Sequence, residues 1–268
     1  MNSTTGALTT YITSLKRFML RHPEVLALAV IAVAWVVTVA IDLGGVPSSF
    51  HSTSGFMMPG MANMAKTKVV HSWSIRWPVA SQLPLWLLMC VAMMGPAAIA
   101  GMRHTALRSY RWRRTRAMAE FFMAYLAVWV IYGFVALSGA SLFSLRSSWR
   151  TIGVVLAVAS IWQTTVFKRR SLRNCHRSVC LPARGWSAEI GSLKFGFRHG
   201  ISCLGSCWCL MFVMIVAPGN MLLWMVPLSG TSTVERLSEK PRRTTEFSAL
   251  IAGVAAICAL AIAIRQSG

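Results

Sequence analysis

The sequence predicts an all-α membrane protein, a polytopic bundle of about seven transmembrane helices with its N-terminus in the cytoplasm. Three observations carry this expectation. Hydrophobic residues make up 55% of the 268, and only 13% are charged, against roughly 25% in an ordinary soluble domain. Apolar runs recur at lengths near the ~20 residues that cross a bilayer. The basic residues, which set a net charge of +20, gather in alternate loops, as the positive-inside rule requires.

Taken in order, a basic segment (residues 1–24, with Lys16, Arg17 and Arg21) precedes the first span at 25–43. That apolar run is long for a signal peptide and no small-residue cleavage site follows, so a retained anchor is expected. An outer loop, 44–80, carries HSTSGFMMPGMANM and then His71. The second span is 82–100, the third 119–137 and the fourth 151–167. A basic cytoplasmic loop, 168–198, leads to the fifth span at 199–217. The sixth, 220–234, is interrupted by Pro227, Gly230 and the run Thr231, Ser232, Thr233. A full crossing with an irregular inner half is expected there, because a re-entrant turn would put the basic run 236–243 on the wrong side; such breaks are tolerated where other spans cover them. The seventh span, 247–264, completes a single transmembrane bundle over residues 25–264. No internal repeat is evident, so the inverted-repeat plan of many transporters has no support.

With the N-terminus inside, the cytoplasmic segments hold 3, 6, 8 and 4 Lys/Arg, or 21 of the 27 in the chain. These loops lie against anionic lipid headgroups. The basic stretch SYRWRRTR at 109–116 is therefore read as topology-setting, and no nucleic acid is expected. The cytoplasmic, or inner, membrane is the expected location.

The chemistry gathers in the fifth span, HGISCLGSCWCLM at 199–211. His199, Cys203, Cys207 and Met211 recur every fourth residue, which lines them along one helix face. Imidazole, thiol and thioether are soft donors suited to Cu(I). Cysteine is also a common buried hydrophobe, but three within seven residues, led by a histidine at the right offset, favour ligation. Cys209 points roughly 160° away from Cys207 at ~100° per residue and is assigned to packing. The second span, LWLLMCVAMMGP, offers Cys90, Met93 and Met94, with Met89 a turn before Met93. At ~1.5 Å per residue, these lie near the level of Cys207 and Met211, and Met225 of the sixth span falls near Met211. Adjacency of the spans does not follow from one sequence. In the outer loop, Met57, Met58, Met61 and Met64 suit capture of Cu(I) by thioethers. Zinc, the alternative ion, would want thiolate, imidazole or carboxylate, of which that loop offers only histidines. Cys175, His176 and Cys180 form a weaker cluster among arginines that favour thiolate. Glu120 and Glu235, beside arginines, are read as ion-pair members.

Seven cysteines, none in the outer loop, argue against a disulfide framework. There is no Gly-rich phosphate loop, no GxSxG, no HExxH and no pair of carboxylates within a span. Few acids leave few candidates for general acid–base work. The chain is not expected to be an enzyme.

Trp86, Met89, Met93, Met94 and Pro96, then SLRNCHR at 171–177, GFRHGISCLGSCWCLM at 196–211, Trp224-Met225 and Glu235-Arg236 together resemble the bacterial predicted metal-binding integral membrane proteins. This is a former domain-of-unknown-function family, some members of which look like copper chaperones for a tyrosinase-type oxidase. The resemblance covers about half the chain and implies a multi-span inner-membrane protein that binds a metal. It implies Cys203 and Cys207 as ligands, with Met93 and Met94 as partners. Many members carry Cys-Cys before the tryptophan, where this chain has Ser206-Cys207. The functional expectation is a membrane accessory protein that binds Cu(I) and hands it to a copper-dependent oxidase or another copper protein. A copper transporter using the His199–Met211 ladder is one alternative. A structural or thiol-redox subunit without metal is the other.

Overall fold

The computed structural model describes residues 24–44, 79–143, 145, 148–175, 177, 179–182, 184–217, 221–238 and 241–266. Among them all regular structure is helical: α1 (Glu24–Gly44), α2 (Val79–Leu107), α3 (Arg114–Leu142), α4 (Trp149–Thr164), α5 (Val166–Cys175), α6 (Gly185–Val216), α7 (Met221–Leu237) and α8 (Pro241–Arg265). Five are long and apolar enough to cross a membrane, over Glu24–Leu43, Gln82–Leu107, Arg114–Leu142, Gly185–Val216 and Arg243–Arg265. Their outer faces are apolar. Val33, Val36, Ile131, Val135, Leu250, Val254 and Ile257 are all exposed, a surface that water would penalise and acyl chains would not. The N-terminal segment and the methionine-rich loop lie outside the described residues.

Three expected elements need correction. The fourth span is not one helix: α4 and α5 meet at a bend of 69°. Thr165 leaves the helix at φ −68°, ψ 147°, and its hydroxyl takes the Trp162 carbonyl at 2.7 Å while that of Thr164 takes Ile161 O at 2.8 Å. Side-chain hydroxyls compete here with the backbone ladder, and the Lys168-Arg169-Arg170 run follows at once. The fifth span starts earlier than expected. Residues 185–198, assigned to a loop on their charge, are the first turns of α6. Ala188, Ser192, Phe195 and His199 are all buried, one face at helical spacing, while Lys194 and Arg198 remain exposed. At 32 residues, α6 is about 48 Å long. The sixth span, α7, is helical through its polar half instead of irregular, but at 17 residues it is not among the five. Thr231, Ser232 and Thr233 return their hydroxyls to the Leu228 and Ser229 carbonyls at 2.8–3.0 Å, so the run continues despite its polarity.

The chain forms two compact units. The first comprises Met1–Ala34, Pro84–Gly133 and Phe167–Ser206, and in it α2, α3 and α6 pack at close quarters. Glycine permits the approach. A Cβ at Gly196 would strike the Phe121 carbonyl oxygen, and one at Gly200 would lie 2.9 Å from Val128 Cγ2 and 3.2 Å from Tyr125 O. Gly196 and Gly200 form a G-x-x-x-G pair, a motif that brings membrane helices together. Phe121 faces Gly196 and Tyr125 faces Gly200, so α3 and α6 run parallel. α2 runs against α6, since Ala97 pairs with His199 and Met94 with the level of Cys203. Trp86 Nε1 donates to Trp129 O at 3.0 Å, and at the far end Arg113 and Arg116 hold Glu120 at 2.9 and 3.1 Å while Arg116 also reaches Glu189 at 2.7 Å.

The second unit comprises Trp35–Leu83, Phe134–Val166 and Cys207–Gly268. Its tightest pair is α4 with α8. Ala249, Ala252, Ala256, Ala259 and Ala263 are buried in a stripe along α8, small enough for Ser160 Oγ to donate to Ala249 O at 2.8 Å. A Cβ at Gly153 would lie 2.7 Å from Leu260 Cγ. Trp162 of α4 meets Trp208 of α6 edge to face at 5.1 Å.

Candidate metal centre

All four members of the fifth-span stripe are buried: His199 is 5% exposed, Cys203 0%, Cys207 1% and Met211 0%. So are Met89, Cys90, Met93 and Met94 of α2, and Met225 of α7. The two faces of α2 that carry sulfur are therefore both inside the protein. All seven cysteines are thiols and not disulfides. Cys203 belongs to the first unit and Cys207 to the second, and α6 runs unbroken through both.

In the first unit the centre is Cys203. Tyr125 OH donates to Met94 O at 3.1 Å and stands 3.0 Å from Cys203 Sγ. A phenol has one proton. With that proton on Met94 O, the phenol oxygen accepts from the Cys203 thiol. The pair of bonds puts the Met94 carbonyl within about 6 Å of the Cys203 sulfur. Counting from span ends set Met94 beside Cys207 and Met211. The observed level is that of Cys203, one turn earlier, because both helices run past the ends assumed for them. His199 lies a turn below in an aromatic setting, its ring centroid 5.6 Å from Phe121, 5.9 Å from Tyr125 and 6.1 Å from Phe195. Its Nε2 is 3.4 Å from Ala97 O, so that nitrogen carries the proton in this contact.

In the second unit the centre is Cys207. Arg236, in the last turn of α7, donates from Nη2 to Cys207 Sγ at 3.4 Å. Glu235 is buried and accepts from Ser248 Oγ of α8 at 2.5 Å. The Glu235-Arg236 pair thus reaches in two directions, the acid to α8 and the base to the thiol. Glu120 does form the ion pairs expected of it, with Arg113 and Arg116.

Among the described residues no three His, Cys, Asp or Glu side chains gather as a metal cage. What the first unit brings together through Tyr125 is the Cys203 thiol and the main-chain carbonyl of Met94, not the four nitrogen and sulfur ligands of a structural zinc site. Cys209 is buried, Cys175 is half-buried and Cys180 exposed. His176 and the outer-loop methionines fall outside the described residues.

Sequence reasoning missed Tyr125 and the use of Arg236. A lone hydroxyl in an apolar run was the available signal for Tyr125, since a buried phenol needs a partner. The G-x-x-x-G pair was the signal that α6 would press its cysteine face toward another helix.

A family model described as PpoB2, copper chaperone, matches residues 83–261. No curated protein and no solved structure matches the chain. The matched region is about two thirds of the chain, runs from α2 into α8, and contains Tyr125, Cys203, Cys207 and Arg236. The chain belongs to the PpoB2 copper chaperone family.

Proposed function

We propose that this protein is an integral membrane copper carrier that holds Cu(I) on sulfur donors of α6 and delivers it to a copper-dependent oxidase or another copper protein. It acts as a carrier and not as a catalyst. The observation that carries the reading is the buried Cys203 thiol, seated against Tyr125 at the level of Met94, in a chain of the copper chaperone family. Cys203 is the principal ligand in the first unit, with Met93, Met94, Cys90 and His199 as donors of the same unit, and Cys207 with Met211 are the donors of the second. Loading converts thiol to thiolate and releases the proton. Tyr125 can then turn its own proton from the Met94 carbonyl to the Cys203 sulfur, a second partner of the kind that orients a ligand and tunes its strength.

The protein spans the inner membrane with its N-terminus and basic loops on the cytoplasmic side. Seven crossings require α4 with α5, and α7, to count as spans beside the five long helices. The parallel run of α3 and α6 supports α4 with α5 as one crossing, because an odd number of crossings separates two spans that run the same way. A dry site in the membrane suits Cu(I), which thioethers and thiolates keep from water and oxygen.

The test is the metal content of full-length protein purified in detergent under reducing conditions and loaded from a buffered Cu(I) chelator. Wild type should bind Cu(I), and Cys203→Ser with Cys207→Ser should lose it. An unchanged stoichiometry in the double variant refutes the reading. The buried ladder from His199 to Met211 also favours a second reading, translocation along α6. Net copper flux into proteoliposomes supports translocation, whereas binding without flux supports a carrier.

A further inference from the structure

We infer that one end of the first unit is a binding face for anionic phospholipid headgroups, built by the α2–α3 turn and the first turn of α6. The inference goes beyond the carrier reading and rests only on the chain spanning a membrane. Arg116 of α3 reaches Glu189 of α6 at 2.7 Å, so the starts of these two parallel helices stand side by side. Arg113 N closes a turn on Tyr110 O at 2.8 Å, and its guanidinium folds back onto Glu120 at 2.9 Å, which leaves residues 110–112 at the tip. Trp112 is 81% exposed there, and Trp186, in the first turn of α6, is 75% exposed. Leu107 and Tyr110 are exposed beside them, with Arg108, Arg111 and Arg184. Large rings left open at one end are costly in water. With cations among them they make up the side-chain mixture of a membrane–water boundary, where aromatic rings sit at headgroup level and basic groups meet anionic lipid.

Over residues 108–120 and 184–189 six arginines stand against two glutamates. Both glutamates are engaged, Glu120 by Arg113 and Arg116 and Glu189 by Arg116. Arg108, Arg111 and Arg184 have no acidic partner among the described residues, and a guanidinium offers a phosphate two parallel N–H donors. Depth favours lipid over an acidic protein as the occupant. At 29 residues, α3 is about 43 Å long, against ~30 Å for the hydrocarbon core and ~40–45 Å with the headgroups included. A helix of that length ends among the headgroups and not beyond them, and Trp112 and Trp186 stand at that end. The charge bias that orients a membrane chain is met by basic residues anywhere on the loops. Exposed tryptophans and arginines on two adjoining helix starts are a narrower arrangement, which that bias does not require.

The experiment uses full-length protein stripped of lipid in a neutral detergent. It is titrated with phosphatidylglycerol or with zwitterionic phosphatidylcholine, and bound lipid is counted by native mass spectrometry. Wild type should prefer phosphatidylglycerol. Each arginine beside an anionic headgroup contributes about fivefold, so Arg111→Gln with Arg184→Gln should weaken phosphatidylglycerol binding about 25-fold. Arg198→Gln with Arg265→Gln removes the same charge from other exposed positions and should leave binding nearly unchanged. Trp112→Ala with Trp186→Ala keeps the charge and should also weaken binding. Equal losses in the two glutamine pairs overturn the inference, since diffuse charge would then suffice, as does a wild type without preference between the lipids. Displacement of bound phosphatidylglycerol by glycerol phosphate, or by a soluble glutamate-rich peptide, also overturns it; the first assigns the face to a free phosphate and the second to an acidic protein. Protein that stays soluble without detergent overturns the membrane reading and this inference together.

Discussion

Replacing Gly196 by alanine should destabilise the protein by about 2 kcal/mol. In an exposed helix the change would help, since glycine lies ~1 kcal/mol below alanine in helix propensity. Here the added Cβ would strike the Phe121 carbonyl oxygen and lie 2.9 Å from its carbon and 3.0 Å from Phe121 Cα. Those are backbone atoms of a 29-residue helix, and no rotamer moves them. The helices must separate, which also loosens the Gly200–Val128 contact one turn along. Overpacking of this kind costs typically 1–3 kcal/mol, with the larger values where the neighbour cannot yield, so the clash outweighs the propensity gain. Gly139→Ala is the internal control. It lies in the same helix as Phe121, a Cβ there meets nothing within 4 Å, and it should be neutral or stabilising by about 0.5 kcal/mol. Both are compared with wild type by denaturant titration in detergent, followed by tryptophan fluorescence and far-ultraviolet dichroism. The opened α3–α6 contact should also speed maleimide labelling of Cys203. Gly196→Ala as stable as Gly139→Ala would refute the close approach, and with it the seating of Tyr125 against Cys203.

Three further outcomes are expected. Tyr125→Phe, which keeps the ring and removes the bonds to Met94 O and Cys203 Sγ, should weaken Cu(I) binding about tenfold in chelator competition; it should leave the dichroism spectrum unchanged. Ser248→Ala removes the donor to buried Glu235 and should cost about 1–3 kcal/mol in the denaturant titration, because the carboxylate keeps its burial and loses that bond. Cys258→Ser should retain full copper stoichiometry, since Cys258 is exposed on α8, while Cys203→Ser alone should lower it.

The sequence carried the helical class and the positions of five helices long and apolar enough to cross a membrane, because hydropathy reports directly on such runs. It was less informative where tertiary contact overrides local character. Residues 185–198 look like a basic loop until Ala188, Ser192 and Phe195 are seen to form one packed face. Thr164 and Thr165 are unremarkable in an apolar run until their hydroxyls take the Ile161 and Trp162 carbonyls and turn the chain. The ladder of His199, Cys203, Cys207 and Met211 was legible from its spacing, since period alone sets a helix face. Which helix faces it was not legible. That depends on Gly196 and Gly200 admitting α3, and on a register that a one-turn error in a span end displaces from Cys207 to Cys203.

Cys203 and Cys207 of α6 share a helix face but not a chemistry. Cys203 meets a phenol, a neutral dipole that donates or accepts according to the state of the sulfur. Cys207 meets a guanidinium, a fixed charge that only donates. Donors counted by side-chain type alone would treat the two thiols as equal, and their partners make them unequal.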